Sequence, residues 1–150
     1  MSLEDTVLSE VIKWCTERGV RLKALVMFGS YVFNPVKAKD IDLIVVLGEL
    51  NVEPKEVILM GVELSLRLRR TSRKSYDVIL MDEKSFYENL QPGTVLSGLI
   101  LGYKVLYDEL GIDKAVSKLM KLLASTDYKY FKGRWIDLST LAKAKKVDHT

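Results

Sequence analysis

The chain has 150 residues, 48% hydrophobic and 29% charged, with a formal charge of +3, which describes one folded domain with a real core and excludes a disordered chain. So small a charge does not by itself call for nucleic acid, and the single cysteine, Cys15, excludes an intramolecular disulfide and suits a reducing cytoplasm. No apolar run reaches the roughly 18 residues of a membrane span, and a start bearing Glu4 and Asp5 is unlike a signal peptide, so a cytoplasmic location without membrane is expected.

Leu3, Val7, Leu8, Val11, Ile12 and Cys15 recur at helical spacing and predict an amphipathic first helix, with Ser2 and Asp5 placed as a capping box and Gly19 as its C-terminal stop. Cys15 and Trp14 then read as packing residues. Leu22 to Phe28 is a short apolar run ending at Gly29 and predicts a buried strand. Asn34-Pro35 opens a loop. Asp40 to Leu47 is a second strand, too continuously apolar after Asp42 to have one face in water. Pro54 starts a helix to about Leu68, with Val57, Gly61, Leu64 and Leu68 on one face. The basic run Arg67, Arg69, Arg70, Arg73 and Lys74 leads into a third strand, Tyr76 to Met81, after which Asp82 reads as a helix cap.

Pro92-Gly93 is a turn, Thr94 to Leu101 another helix, and Lys104 to Tyr107 a short last strand. From Gly111 a helix carries Ile112, Val116, Leu119, Met120 and Leu123, and one more is expected around Leu138 to Lys145. Strands alternating with helices predict an α/β (α+β) chain, a small mixed sheet with helices packed on it. The expected division is a core over residues 1–109 and a C-terminal helical extension of the same domain over 110–150.

The chemistry concentrates between Gly29 and Asp42. Side chains alternate across a strand, so Asp40 and Asp42 project from one face. Two carboxylates held that close repel unless a cation sits between them. Hard oxygen ligands at this spacing suit Mg²⁺, which takes one or two protein carboxylates and completes its shell with water and phosphate. In a two-metal scheme, ions about 4 Å apart serve the attacking and the leaving oxygen, and Asp77 is the candidate third carboxylate from a neighbouring strand. A glycine at a strand-to-helix turn lets backbone approach a phosphate, and the Ser30 hydroxyl adds a donor.

Phe28-Gly29-Ser30, nine residues, then Asp40-Ile41-Asp42-Leu43 resembles the signature of the DNA polymerase β-type nucleotidyltransferase superfamily, within it the minimal nucleotidyltransferases of archaea and bacteria. Tyr76-Asp77-Val78-Ile79 and Gly102 to Asp108 agree, so the resemblance spans roughly residues 20 to 108. It implies a nucleotidyltransferase fold in which Gly29 and Ser30 bind the phosphates of a nucleoside triphosphate. Asp40, Asp42 and Asp77 would hold two Mg²⁺ ions and act catalytically, Asp77 also as base toward the attacking hydroxyl. The implied reaction is transfer of a nucleoside monophosphate, AMP from ATP, to a hydroxyl with release of pyrophosphate. Small stand-alone members often serve as antitoxins that adenylylate a HEPN-type RNase toxin, so the implied partner is such a protein. Many minimal members carry an arginine in a small-Arg-Gly run soon after the serine. Here Tyr31-Val32-Phe33-Asn34-Pro35 has neither, so either Lys37 or Lys39 joins the nucleotide-binding residues in its place or catalysis is weak.

Other readings stay open beside this one. A binding module could keep the fold without useful turnover. A nucleic-acid-acting transferase is suggested by Tyr128, Lys129, Tyr130, Phe131, Lys132, Arg134 and Trp135, which interleave aromatics with charge, a pattern equally suited to docking on the core or on a partner. The run from Arg67 to Lys74 is either a solvated helix end or a contact for phosphates. His149, the one histidine, gives serine-hydrolase or histidine-metal chemistry no footing. Oligomerisation is compatible with everything above.

Overall fold

Alternation along Leu22–Phe28 (β1) and Asp40–Leu47 (β2) divides the interior in two. The computed structural model describes residues 2–125 and the strands Lys129–Phe131 and Trp135–Asp137. Ala24, Val26, Phe28, Ile44 and Val46 face one layer, while Leu25, Met27, Ile41, Leu43, Val45 and Leu47 face the other. With apolar layers on both sides, every residue of β2 after Asp40 is buried, which is why the run shows no polar alternation. Fully burying one such side chain is worth roughly 1.5–3 kcal/mol.

The sheet has four strands in the order β3-β2-β1-β4, where β3 is Ser75–Asp82 and β4 is Tyr103–Asp108. β1 is antiparallel to both neighbours, whereas β2 and β3 are parallel and joined by the helix Pro54–Ser72 (α3). The first helix (α1, Leu3–Arg18) and α3 cover one face with Val7, Val11, Trp14, Cys15, Leu64 and Leu68. The other face is covered by Glu83–Glu88 (α4), a 3-10 helix over Val95–Leu101, and Ile112–Ala124 (α5). Between β1 and β2 lies one helical turn, Ser30–Phe33 (α2).

The elements follow the sequence expectations with informative differences. α3 continues to Ser72 rather than Leu68, and the helix expected at Thr94–Leu101 winds as 3-10. Trp14 is fully buried. Ser2 caps α1 by accepting from the Asp5 N–H at 3.1 Å, and Asp82 caps α4 by accepting from the Ser85 N–H at 2.8 Å. Arg67, grouped by sequence with the basic run, serves the packing of helices instead. Its Nε donates to Glu10 at 2.6 Å and its other nitrogens engage Glu17, tying α3 to α1. Those contacts, Glu17 foremost, raise the guanidinium pKa. The outer face of α3 leaves Ile58, Leu59, Val62 and Leu66 exposed.

After α5, Lys129–Phe131 (β5) and Trp135–Asp137 (β6) pair as an antiparallel ribbon. Tyr128, Lys132, Arg134, His149 and the helix expected at Leu138–Lys145 lie outside the described residues. No helix among the described residues is long and apolar enough to cross a membrane.

α5 is held at its start by Asp108, whose carboxylate accepts from the N–H groups of Leu110, Gly111 and Ile112 at 2.8, 2.9 and 3.0 Å. Desolvation opposes ionisation there, but the three donors outweigh it and hold the carboxyl below the ordinary aspartate range. A depressed carboxyl contributes stability that is complete above the unfolded value of about 3.9 and is lost as pH falls through the folded one. Asp108→Ala should therefore cost about 1 kcal/mol at pH 7, the usual size of a lost cap on an exposed group. In thermal melts its deficit relative to wild type should shrink as the pH is lowered below about 4.

Candidate functional site

Strand register brings the sequence's carboxylates together. Asp42 pairs laterally with Phe28 on β1 and with Asp77 on β3, and Asp40 pairs with Ser75. Because alternation puts Asp40, Asp42 and Asp77 on the same face as Ile44, Ile79 and Met81, all three carboxylates line one end of one sheet face. α5 and the 3-10 helix cover the apolar part of that face further along. At its end Asp40 and Asp77 are exposed, while Asp42 is only 6% exposed.

The buried Asp42 carboxylate lies against Gly29. Gly29 has φ 77° and ψ −161°, a backbone state that residues with a Cβ avoid. A Cβ built there would lie 3.1 Å from Asp42 Cγ and closer still to Oδ2. The space that a side chain would fill is taken by the carboxylate. Spacing suggests a glycine cleared for phosphate; the structure adds a glycine cleared for Asp42, an interaction no local pattern announces. Ser30 then opens α2, whose single turn is closed by Val32 N–H donating to Gly29 O at 3.1 Å and Asn34 N–H to Ser30 O at 2.7 Å.

Lys37 and Lys39 are exposed in the turn between α2 and β2, a turn drawn in by Lys37 and Ala38 N–H groups that both donate to Asn34 O. No arginine lies in this turn; Val36 in it and Phe33 at the end of α2 are exposed. At the other end of the lateral row, Tyr103 pairs with Phe28 and donates its hydroxyl to Asp113 at 2.6 Å. Burial first, then Asp113, raises the phenol pKa far above neutrality, so Tyr103 stays protonated. Cys15 is buried on the sheet-facing side of α1 with its thiol pushed up by desolvation to about 11, which removes it as a nucleophile.

The donor set fits a hard divalent cation in kind: three carboxylates, no sulfur or imidazole, on adjacent strands in register. Among the described residues no three acidic, histidine or cysteine side chains converge on one point. Asp42 is packed against Gly29, whereas Asp40 and Asp77 are exposed. Grooves between α4 and α5, lined by Tyr87, Leu90, Lys114 and Leu122, and between α1 and α3 share no residue with this end of the sheet.

Gly29→Ala should be among the most damaging single changes in the chain, since it adds left-handed backbone strain to a clash with a buried carboxylate. Thermal or urea unfolding should register a loss of at least about 2 kcal/mol. Near-wild-type stability would show that Asp42 can yield.

No protein-family model matches the sequence, and no curated protein matches it at a significant level. Among solved structures the chain is similar to a toxin-antitoxin crystallised with AMP-PNP, at 22% identity over 78% of this chain and 90% of that one, with a TM-score of 0.50. It is similar also to a mutant of the toxin-antitoxin MntA-HpeT, at 23% identity over 78% and 89% of the two chains, again with a TM-score of 0.50. A tri-AMPylated Shewanella oneidensis HEPN toxin in complex with MNT antitoxin matches at 22% identity over 81% and 91%, with a TM-score of 0.48. At these identities the likeness is one of architecture: the four-stranded mixed sheet and its packed helices form a nucleotidyltransferase fold.

Proposed function

We propose that this chain is a Mg²⁺-dependent nucleotidyltransferase that moves AMP from ATP onto a hydroxyl of a HEPN-type partner protein, neutralising it as an antitoxin would. The observation that carries the reading is the register of β2 on β3, with Asp42 beside Asp77, Asp40 two residues upstream on the same face, and Gly29 against Asp42 with Ser30 next in the chain. A toxin-antitoxin of the same fold that was crystallised with AMP-PNP supports both the nucleotide and the kind of partner. The exposed stripe Ile58, Leu59, Val62 and Leu66 on α3 supports a protein partner, because contiguous apolar surface marks sites of association.

In the proposed reaction the acceptor oxygen bonds to the α-phosphorus of ATP, the bond from that phosphorus to the bridging oxygen breaks, and pyrophosphate leaves. Asp77, exposed at the head of β3, takes the hydroxyl proton. Ser30 donates its hydroxyl to a phosphate oxygen, and the positive charges of Lys37 and Lys39 attract the polyphosphate. Asp40, Asp42 and Asp77 would hold Mg²⁺, which when bound supplies charge neutralisation and a more acidic acceptor hydroxyl. Asp42, buried and wedged against Gly29, gives that group of ligands one fixed member.

The test is pyrophosphate release from ATP with Mg²⁺ and a HEPN-type partner. Asp77→Asn should lower the rate roughly 100-fold or more while leaving the melting temperature nearly unchanged, because an exposed carboxylate contributes little to stability. Asp42→Ala should abolish release, and EDTA should do so reversibly. Unaltered turnover in both variants would refute the assignment.

A second reading, a nucleotide-binding module without useful turnover, is favoured by the arginine-free loop and by carboxylates that do not meet at one point. It requires ATP to raise the melting temperature while no partner elicits pyrophosphate.

A further inference from the structure

One residue near the carboxylates breaks a local rule. Among the described residues the positive-φ positions are Gly19, Gly29, Gly93, Gly102 and Gly111, with one exception, Arg73 at φ 59°. Arg73 is the C-terminal cap of α3, where the left-handed turn favours glycine because a side chain there crowds the backbone. The turn is well anchored: Arg73 N–H donates to Arg69 O at 2.8 Å, Ser72 Oγ lies 3.0 Å from Leu68 O, and Ser72 Oγ meets Tyr76 Oη at 2.7 Å. Hydrogen bonds from the helix end and from β3 thus bracket Arg73 and Lys74, and fix where both leave the backbone.

That place is the carboxylate end of the sheet. Lys74 immediately precedes Ser75, which pairs with Asp40, and Asp77 follows two residues later beside Asp42. Arg18, Arg21 and Arg67 each have a carboxylate partner, whereas Arg69, Arg70, Arg73 and Lys74 are exposed and have none among the described residues; of these four, Arg73 alone takes a positive φ. Arg73, unneutralised and in an unfavourable backbone state, leaves the chain two residues before Ser75, at the acidic end of the sheet, and is placed for an anion that arrives with the substrate.

We propose that Arg73, assisted by Lys74, binds the phosphate chain of the nucleotide on the β3 side of the site, opposite Gly29-Ser30 on the β1 side of β2. The assignment rests on the nucleotidyltransferase reading and deepens it. Arg73 offers two parallel N–H donors to a phosphate, and Lys74 a mobile point charge beside it. Cations on one flank and backbone and hydroxyl donors on the other would hold the phosphates across the strand that bears Asp40 and Asp42.

The deciding variant is Arg73→Gly, because a structural role and a binding role move its stability and its affinity in opposite directions. Glycine relieves the left-handed strain, so the melting temperature should hold or rise by about 2 °C. The Kd for ATP, measured by calorimetry on the full chain with Mg²⁺, should weaken tenfold or more. Lys74→Gln should give a smaller loss, Arg73→Lys should fall between wild type and Arg73→Gly, and Lys121→Gln on α5 should leave affinity unchanged. Running AMP and inorganic pyrophosphate alongside locates the contact: a loss for pyrophosphate and ATP places Arg73 on the β- and γ-phosphates, and a loss for AMP and ATP places it on the α-phosphate. Unchanged affinity for all three ligands overturns the inference and leaves the nucleotidyltransferase reading standing, as does a fall in melting temperature that accounts for the lost binding. A wild-type chain that binds no nucleotide overturns both.

Discussion

The contact on which the rest of the site depends is the one between Gly29 and the Asp42 carboxylate. It forces a glycine with a left-handed φ at the end of β1, which in turn ends the strand and throws the chain into the single turn of α2. It also holds a carboxylate in a place where burial alone would argue against one. A carboxylate 6% exposed at the margin of an apolar layer is costly unless something gathers around it. Here the packing against Gly29 keeps Asp42 still while Asp40 and Asp77 remain at the surface.

The scaffold explains why the acids collect where they do. β2 is sandwiched between two apolar layers along seven of its eight residues, so its register cannot slip without moving every side chain to the wrong face. Fixed register on β1 sets Phe28 beside Asp42, and fixed register on β3 sets Asp77 beside it. Arg67, clamped between Glu10 and Glu17, holds α3 on α1 and thereby the helix that delivers β3. The carboxylate row follows from the register that core packing imposes.

Much of this is legible in the sequence, because the signals are local. Apolar runs bounded by Gly29, Asn34-Pro35 and Pro54 mark the strands and the third helix, and Ser2 and Asp82 announce caps that both form. The Gly-Ser and Asp-x-Asp spacing with Asp77 points to residues that register does bring onto one sheet end. What stays hidden is non-local or conformational. Nothing in the order of residues shows that the missing Cβ of Gly29 makes room for Asp42, that Arg67 leaves the basic run to join two glutamates, or that Arg73 takes a glycine's backbone state. The 3-10 winding of Val95–Leu101 escapes for a similar reason, since apolar periodicity over seven residues does not separate it from an α-helix.

The parallel pairing of β2 with β3 carries a consequence for how the molecule comes together. Asp42 and Asp77 are separated in sequence by an entire strand-helix-strand unit, and they become neighbours only once α3 has crossed over and docked. Long-range pairings of this kind form late, after the loop-closure entropy has been met. The carboxylate row therefore depends on a long-range pairing, and an opening of α3 that parts β3 from β2 dismantles it. By mass action, whatever binds across those two strands draws α3 down onto the sheet without touching it. Occupancy of the site and the integrity of the helix on the opposite face are one equilibrium.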